Sequence, residues 1–523
     1  MKTSVNKAVE TLFLNEICPW DLYCETMAHT DFMMGRHEVP TVKTYFYRTA
    51  PFGGSYALFG GLTEFLMKVK NFDFTKAAKS MSTRGYNVEF IEYLKKRDSK
   101  ASLQVKIHSL KEGDLIFPHE PVLIISGPLM DVRFVEGMIN VINRGSLFLT
   151  KWRRVVEAAN PNPVFEFSRR RAQNDLSTAL YAQMAGVAGT SNTELNEHID
   201  VTLVGTMGHE FIQSIGNEFE AFDKYLEFNP GKPVLLIDTI DPLNSGMPNA
   251  IKAFKKHEQS IKDAGAWERC GIRNDSGDLV YLTIKEIMML SAAGLDNVGI
   301  TQTNDLDEYT INSMKAQIVE SCGMTLAQHI LKRVSWACGT KPGNAYDCPA
   351  FGGVAKLSVV NGDPSMKLTL KNPEKASIPG DIRSKLIYNK KNGEIVACLT
   401  HLVYEDNDVK NPESETYKAG DLSIGYHKDD KTRFLMFSVK NHIFENRQEL
   451  TYDWEQGFVQ EQTLQIIKER VEKSMAKLSW YHKRQLNPDE VKVCLSSGLF
   501  NLRFQMKDRK KLIGDFEWRN VSA

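Results

Sequence analysis

The chain has 523 residues, 42% of them hydrophobic, with 65 basic and 65 acidic side chains. That length supports two or three domains around a sizeable core, and the zero net charge excludes a broad surface for nucleic acid or anionic membrane. Eight cysteines lie scattered without metal-ligand spacing, no leader pattern opens the chain, and no apolar run approaches the roughly 18 residues of a membrane span, so reduced thiols and a cytoplasmic setting are expected.

Residues 1 to about 150 mix helices with strands such as KTYFYR (43–48) and PVLIISG (121–127), and PFGGSYALFGGL (51–62) sets glycines ahead of an apolar helix. The clusters KWRR (151–154) and KDRKK (507–511) read as solvated faces. From about 160 to 355 the pattern becomes strand, polar loop, helix, repeated. PVFEF, IDVTLVG, PVLLID, GIRN, VGITQT and the run before ACGTKPG read as strands. Such alternation predicts a parallel sheet or barrel, with the loops after the strands sharing one ligand-binding face. Beyond about 360, KLTLKNPEKASIPGD suggests a strand pair, the Asn-Gly in LIYNKKNGEIVACLTHLVYED marks a hairpin, and EQTLQIIKERVEKSMAKLSWYH reads as a helix.

The loops after the central strands carry one kind of chemistry. They hold Arg169–Arg170–Arg171; Gly205, Thr206, Gly208 and His209; Asp238, Thr239 and Asp241; Arg273, Asp275, Ser276 and Asp278; Asn304, Asp305 and Asp307; and Gly339, Thr340 and Lys341. Taken singly, an Asp, Ser or Thr at such a place is often a helix cap, and an isolated histidine is more often structural than reactive. ACGTKPG lacks the spacing of a P-loop. Together the loops set cations, backbone donors, carboxylates and hydroxyls on one face. That mixture suits a phosphorylated sugar and a metal, since arginine grips phosphate bidentately and carboxylates reach magnesium, usually through water. The glycines of VGTMGHEF predict a sharp turn that presents His209.

The motifs run in order from DLYCETMA (21–28) through PFGG (51–54), EFSRRRAQ (166–173), GTSNT (189–193), GTMGHEF (205–211), DTID (238–241), SGMPNA (245–250), IRNDSGDL (272–279), TNDLDEYTI (303–311) and GT (339–340) to PAFGGVAKL (349–357). In this series the chain resembles the nicotinate phosphoribosyltransferases, over about residues 21–380, with little resemblance in the tail. The resemblance implies an irregular, TIM-like α/β barrel of the type II phosphoribosyltransferases, with a second α+β domain formed by N-terminal and C-terminal segments. The boundaries expected are 1–150, 151–358 for the barrel, and 359–523 for a region packing on both. It implies the joining of nicotinate to phosphoribosyl pyrophosphate, giving nicotinate mononucleotide and pyrophosphate, with ATP as co-substrate, Mg²⁺, and a homodimer with shared active sites. No nucleic-acid or membrane partner is implied.

Carried over residue by residue, the resemblance assigns Tyr23 and Phe167 to a sandwich around the pyridine ring, Tyr23 reaching a neighbour's barrel, and Arg170 to the ring's edge. Thr206 and Arg273 become further substrate contacts, and Gly339 and Thr340 a phosphate-cradling turn. Asp238, Asp275 and Asn304 surround the ribose and the metal-bound pyrophosphate, Asp238 in a catalytic role, with no metal site fixed by protein alone. His209 becomes the catalytic nucleophile that ATP phosphorylates. Ser191 stands where nicotinamide-using relatives carry aspartate; a hydroxyl can donate to the nicotinate carboxylate, whereas aspartate would repel it. The chain departs from the family pattern at Trp20, at Ser168–Arg169 and at TQTND (301–305). The competing readings are a nicotinamide phosphoribosyltransferase, a quinolinate-using relative, and a non-catalytic paralogue that binds the nucleotide precursor.

Overall fold

The computed structural model describes residues 5–6, 16–97, 103–368, 375–405, 422–426, 434–437, 441–458 and 462–507. These fall into two compact units, residues 148–349 and a second unit assembled from the chain before 148 and after 349. The division falls inside the helix Asn140–Ala159.

The unit of residues 148–349 is the α/β barrel. Its six-stranded sheet runs, from one edge to the other, Gly189–Thr190, Val164–Glu166, Val334–Cys338, Gly299–Gln302, Gly271–Asn274 and Val234–Leu236. Every pair is parallel, and a single parallel bridge from Thr190 to Leu203 adds a seventh element at one edge. Around the sheet these elements follow chain order, except that the last strand pairs with the first, Trp336 to Val164. The sheet therefore curls into a barrel whose open seam lies between Leu203 and Val234. The strand expected over 199–205 shrinks to that one bridge because, among the described residues, it has a ladder partner on one side only.

The helices between strands cover the sheet with a continuous apolar layer. Leu235, Ile272 and Ile300 of the strands pack with Phe222, Phe254, Ile287, Leu290 and Ile318 of the helices, all at 0–1% exposure. Burial of this kind contributes about 1.5–3 kcal/mol per large side chain. Several helical segments start at an acidic cap. Asp278 accepts from the backbone N–H of Val280 and Tyr281, both at 3.1 Å, and Asp307 from that of Thr310 at 2.8 Å. Asp241 accepts from Leu243 and Asn244. These caps satisfy N–H groups that a helix start leaves open.

KWRR is not solvated. Lys151, Trp152, Arg153 and Arg154 are each at most 4% exposed. Lys151 and Arg154 each bond to the buried carboxylate of Glu308 at 2.8 Å, and Arg153 pairs with Glu157. A basic run on a helix can be buried where acids on a facing element neutralise it. Of KDRKK, all but Lys507 lie outside the described residues.

The second unit is α+β and draws on both ends of the chain, as the fold class implied. A seven-stranded antiparallel sheet runs Asp363–Pro364, Gly353–Val360, Pro40–Tyr47, Leu123–Pro128, Lys106–Ser109, Glu449–Asp453, Gly457–Phe458. A six-stranded sheet contains the expected Asn-Gly hairpin, Ile382–Asn389 against Ile395–Leu402, with Gly393 at φ 71° in the turn. The glycines of PFGGSYALFGGL precede the helix Leu62–Asn71, and a Cβ at Gly60 would lie 2.6 Å from the backbone of Gly145. The strand pair expected in 367–381 is absent from its described residues, where Ser377 and Lys367 are tied by two hydrogen bonds instead. The tail helix appears as Leu464–Ala476, capped by Thr463.

Candidate active site

The barrel strands end on one rim, and eleven of the sequence-derived site residues sit on it. Phe167 and Arg170 follow the first strand, Ser191 the second, and Thr206 and His209 follow the bridge at Leu203. Asp238 follows the strand Val234–Leu236, Arg273 and Asp275 lie at the end of Gly271–Asn274, and Asn304 follows Gly299–Gln302. Gly339 and Thr340 close the series after Val334–Cys338. The C-terminal ends of parallel strands are where such folds place ligands. Tyr23 belongs to the other unit, on the helix Leu22–Met33, and is 47% exposed.

Arg273 organises the centre. Its guanidinium donates to Thr206 Oγ1 at 2.9 Å and Thr303 Oγ1 at 3.2 Å, and pairs with Asp275 Oδ2 at 3.2 Å. It also stands 5.8 Å from the centroid of the Phe167 ring, within cation–π range. Thr303 Oγ1 lies 2.7 Å from Asp275 Oδ1. Arginine and carboxylate are thus fixed before any ligand arrives, which is the preorganisation that favours charge development.

His209 is the first residue of the short helix His209–Ile215. Its Nδ1 lies 2.9 Å from Thr239 Oγ1, and its Nε2 faces Asp238 Oδ1 at 3.8 Å and Asp275 Oδ2 at 3.9 Å. The imidazole is 38% exposed and the Asp238 carboxylate 1%. Asp238 Oδ2 accepts from the Asp275 N–H at 3.0 Å and from Ser276 Oγ at 2.5 Å, while Oδ1 is buried without a hydrogen-bond partner. A buried carboxylate oxygen left unpaired is costly and points to a ligand, an ion or a water. His209, Thr206, Arg273 and their partners also link residues on either side of the open seam.

The turn at VGTMGHEF is not sharp. Gly205 and Gly208 both avoid the left-handed region, and a Cβ at either would meet nothing within 4 Å. Open space around the Cβ positions, rather than backbone geometry, distinguishes these two glycines. Gly339 differs, because a Cβ there would lie 2.8 Å from the Phe167 carbonyl oxygen. Asn304 and Asp305 occupy the left-handed region at φ 97° and 46°. Consecutive non-glycine residues there carry strain of order 1–3 kcal/mol each, a cost found more often at binding loops than elsewhere.

The carboxylates on the rim separate into two kinds. Asp241, Asp278 and Asp307 are the helix caps described above, whereas Asp238 and Asp275 face His209. The arginines separate too. Arg169 bonds to Asn192 and Arg171 to Thr340 Oγ1 at 3.2 Å, while Arg170 is exposed. Ser191 is half-buried, its N–H donating to the Glu166 carbonyl at 3.0 Å. Two threonines that no motif role covers, Thr239 and Thr303, complete the cluster. The signal for Thr303 is register, since Gln302 pairs with Asn274 across parallel strands and carries the next residue to Asp275. No cluster of three or more metal-ligating side chains occurs among the described residues.

Two family models match, described as the N-terminal domain of nicotinate phosphoribosyltransferase, over residues 20–143, and its C-terminal domain, over residues 423–503. The second match lies in the tail, where the motif series had run out. The nicotinate phosphoribosyltransferase of Bacillus subtilis is 32% identical over 501 residues, covering 93% of this chain and 94% of that protein. That of Dictyostelium discoideum is 28% identical, covering 92% and 86%. Among solved structures, human nicotinic acid phosphoribosyltransferase superposes with a TM-score of 0.72 at 23% identity, covering 92% of this chain and 98% of that one. A nicotinate-nucleotide pyrophosphorylase from Pyrococcus furiosus follows at 0.61 and 17%. At those identities the likeness is one of fold.

Proposed function

This chain belongs to the nicotinate phosphoribosyltransferase family, and from that premise we propose how it joins nicotinate to phosphoribosyl pyrophosphate on the barrel rim. The bond from the ribose anomeric carbon to pyrophosphate breaks as the bond to the pyridine nitrogen forms, and nicotinate mononucleotide and pyrophosphate leave. This reaction is an entry of nicotinic acid into NAD synthesis. Positive charge grows on the ribose ring, and Asp238 and Asp275 supply negative charge to meet it. Preorganised charge of this kind is usually the largest catalytic contribution.

The observation that carries the reading is Arg273, held near Phe167 and paired with the Asp275 carboxylate. Nicotinate is a flat aromatic anion, so an aromatic face with cations at its edge suits it. Arg170, exposed on the same rim, is the cation for the ring's edge, and Ser191 donates to the acceptor's carboxylate. Asn304 lies at the ribose, and Gly339 and Thr340 turn backbone N–H groups towards phosphate.

Asp238 and Asp275 would help hold Mg²⁺, which would supply charge neutralisation at the pyrophosphate group of phosphoribosyl pyrophosphate. The unpaired oxygen of Asp238, with Asp275 beside it, fits such an ion held largely by substrate phosphates and water. ATP phosphorylates His209, whose ring Thr239 holds in place while leaving it reachable. The two carboxylates next to it repel a phosphoryl group, so the transfer needs that neutralising charge. Hydrolysis of the phosphohistidine then drives synthesis forward. The protein acts as a homodimer, Tyr23 reaching a neighbour's barrel. Supporting this, Ile17, Leu22, Tyr23, Met33 and Met34 expose 47–63% of their surface in and around one helix. Clustered exposed apolar side chains mark contact surfaces.

The deciding assay offers nicotinate or nicotinamide, with and without ATP. Nicotinate is the preferred acceptor, ATP raises its conversion, and Ser191→Asp erodes the preference. Equal rates on both acceptors in the unmodified protein overturn the assignment.

A further inference from the structure

Behind the strand ends that carry Arg273 and Asp275 lies a buried polar cluster that the reaction above does not use. Asn274 and Gln302 are register partners on neighbouring strands. Both side chains turn to the helix Leu279–Ala292. Asn274 Nδ2 donates to Glu286 Oε2 at 2.7 Å, and Gln302 Nε2 donates to Thr283 Oγ1 at 2.6 Å. The Thr283 hydroxyl in turn donates to the Leu279 carbonyl at 2.6 Å. All four polar side chains are at 0% exposure.

Three atoms of this cluster have no partner: Asn274 Oδ1, Glu286 Oε1 and Gln302 Oε1. All three are acceptors, so with Glu286 ionised none can satisfy another. One proton changes this. A carboxylic acid facing an amide pairs twice, amide N–H to acid carbonyl and acid O–H to amide carbonyl. The first half of that pair is present at 2.7 Å. The atoms it leaves over, Glu286 Oε1 and Asn274 Oδ1, are the two that the second half joins.

The surroundings favour the proton. Burial pushes the Glu286 carboxyl up to about 7; the Asn274 bond opposes this and the charge of Asp238 reinforces it. Of the charged groups on the elements around it, which include Arg273 and Asp275 as well as those of the helices Met247–Asp263 and Glu308–Leu331, only Asp238 acts on it appreciably.

We propose that Glu286 is a positioning residue for the rim, a neutral carboxylic acid that locks Asn274, and with it the flanking Arg273 and Asp275, while sparing Asp238 a second buried negative charge. Ionisation releases the proton to solvent, opens the acid–amide pair and loosens the strand end. What Glu286 serves rests on the reaction proposed above; whether it carries a proton does not.

The test uses the full-length protein. Difference infrared spectroscopy across a pH step through about 7 shows the C=O band of a protonated carboxyl lost on the alkaline side, and Glu286→Gln abolishes the change. Melting supplies a second readout without substrate. A carboxyl raised in the folded state is stabilising below its unfolded value, and that stability is lost as pH rises towards the folded value. Glu286→Gln, whose amide reproduces the paired acid, therefore melts higher than the parent on the alkaline side, with the gap closing in acid. In the activity profile, Glu286→Gln keeps kcat within about twofold below neutral pH and lacks the alkaline fall, whereas Glu286→Ala loses about tenfold or more throughout, as misplaced catalytic groups do. An infrared change that survives Glu286→Gln, or a Gln variant as damaged as Ala at every pH, overturns the proposal. Loss of nicotinate activity with the infrared change intact tells against the reaction, not against the protonated acid.

Discussion

At the scale of single residues, His209 is defined by three neighbours. Thr239 fixes the ring, and Asp238 and Asp275 set the charge beside its other nitrogen. Forming the glycosidic bond does not itself require ATP, so under the proposed mechanism the histidine serves energy coupling and the sugar chemistry falls to the carboxylates and Arg273. His209→Ala is therefore expected to abolish ATP hydrolysis and the acid-labile phosphate that γ-labelled ATP leaves on the protein. A slow, ATP-independent synthesis of nicotinate mononucleotide remains. Histidine is a competent nucleophile in covalent transfer, and label incorporated equally well by the alanine variant would move the nucleophile elsewhere. Much of this site was legible beforehand, because the motif residues lie in loops whose strands are adjacent in chain order. What was not legible is pairing. That Thr303 meets Arg273, or that Asp238 rather than Asp241 faces the histidine, follows from strand register and from which acid caps a helix. Neither is written in local spacing.

At the scale of elements, the strand–loop–helix rhythm gave the barrel away, and the exceptions have physical causes. KWRR reads as surface because charge usually is; Glu308, more than 150 residues later, makes it core. The strand at 199–205 fades because it borders the seam. Glycines on the rim also divide by what surrounds them. Gly339 backs onto the Phe167 carbonyl, whereas Gly205 faces open space. Gly339→Ala must push two backbones apart, so it should cost about 1–3 kcal/mol and raise KM for both substrates. Gly205→Ala should change stability by no more than about 0.5 kcal/mol. Thermal melts and steady-state kinetics on the pair check this; equal effects would show that the close approach at Gly339 is not what the glycine is for.

At the scale of the whole molecule, the expected assembly has a direct test. If Tyr23 completes a neighbour's site, dilution below the dimer's dissociation constant should lower nicotinate binding in step with the loss of dimer, as linked association and binding require. Sedimentation alongside a binding isotherm measures both, and a fully active monomer refutes the shared site. Tyr23→Ala should weaken nicotinate binding without altering the mass.

The pairing of the barrel's last strand with its first reaches beyond the finished protein to how it is made. A chain emerging from the ribosome at about 5–20 residues per second holds Val164–Glu166 with one flank bare until Trp336–Cys338 arrives to cover it. The wait is longer in the other unit, where Lys106–Ser109 pairs with Glu449–Asp453. Ordering such distant partners is slow, because loop closure precedes the contacts that reward it. For most of its synthesis this chain therefore carries uncovered sheet edges, one in the barrel until residue 336 and one in the other unit until residue 449, and over that interval it most needs a chaperone's shelter.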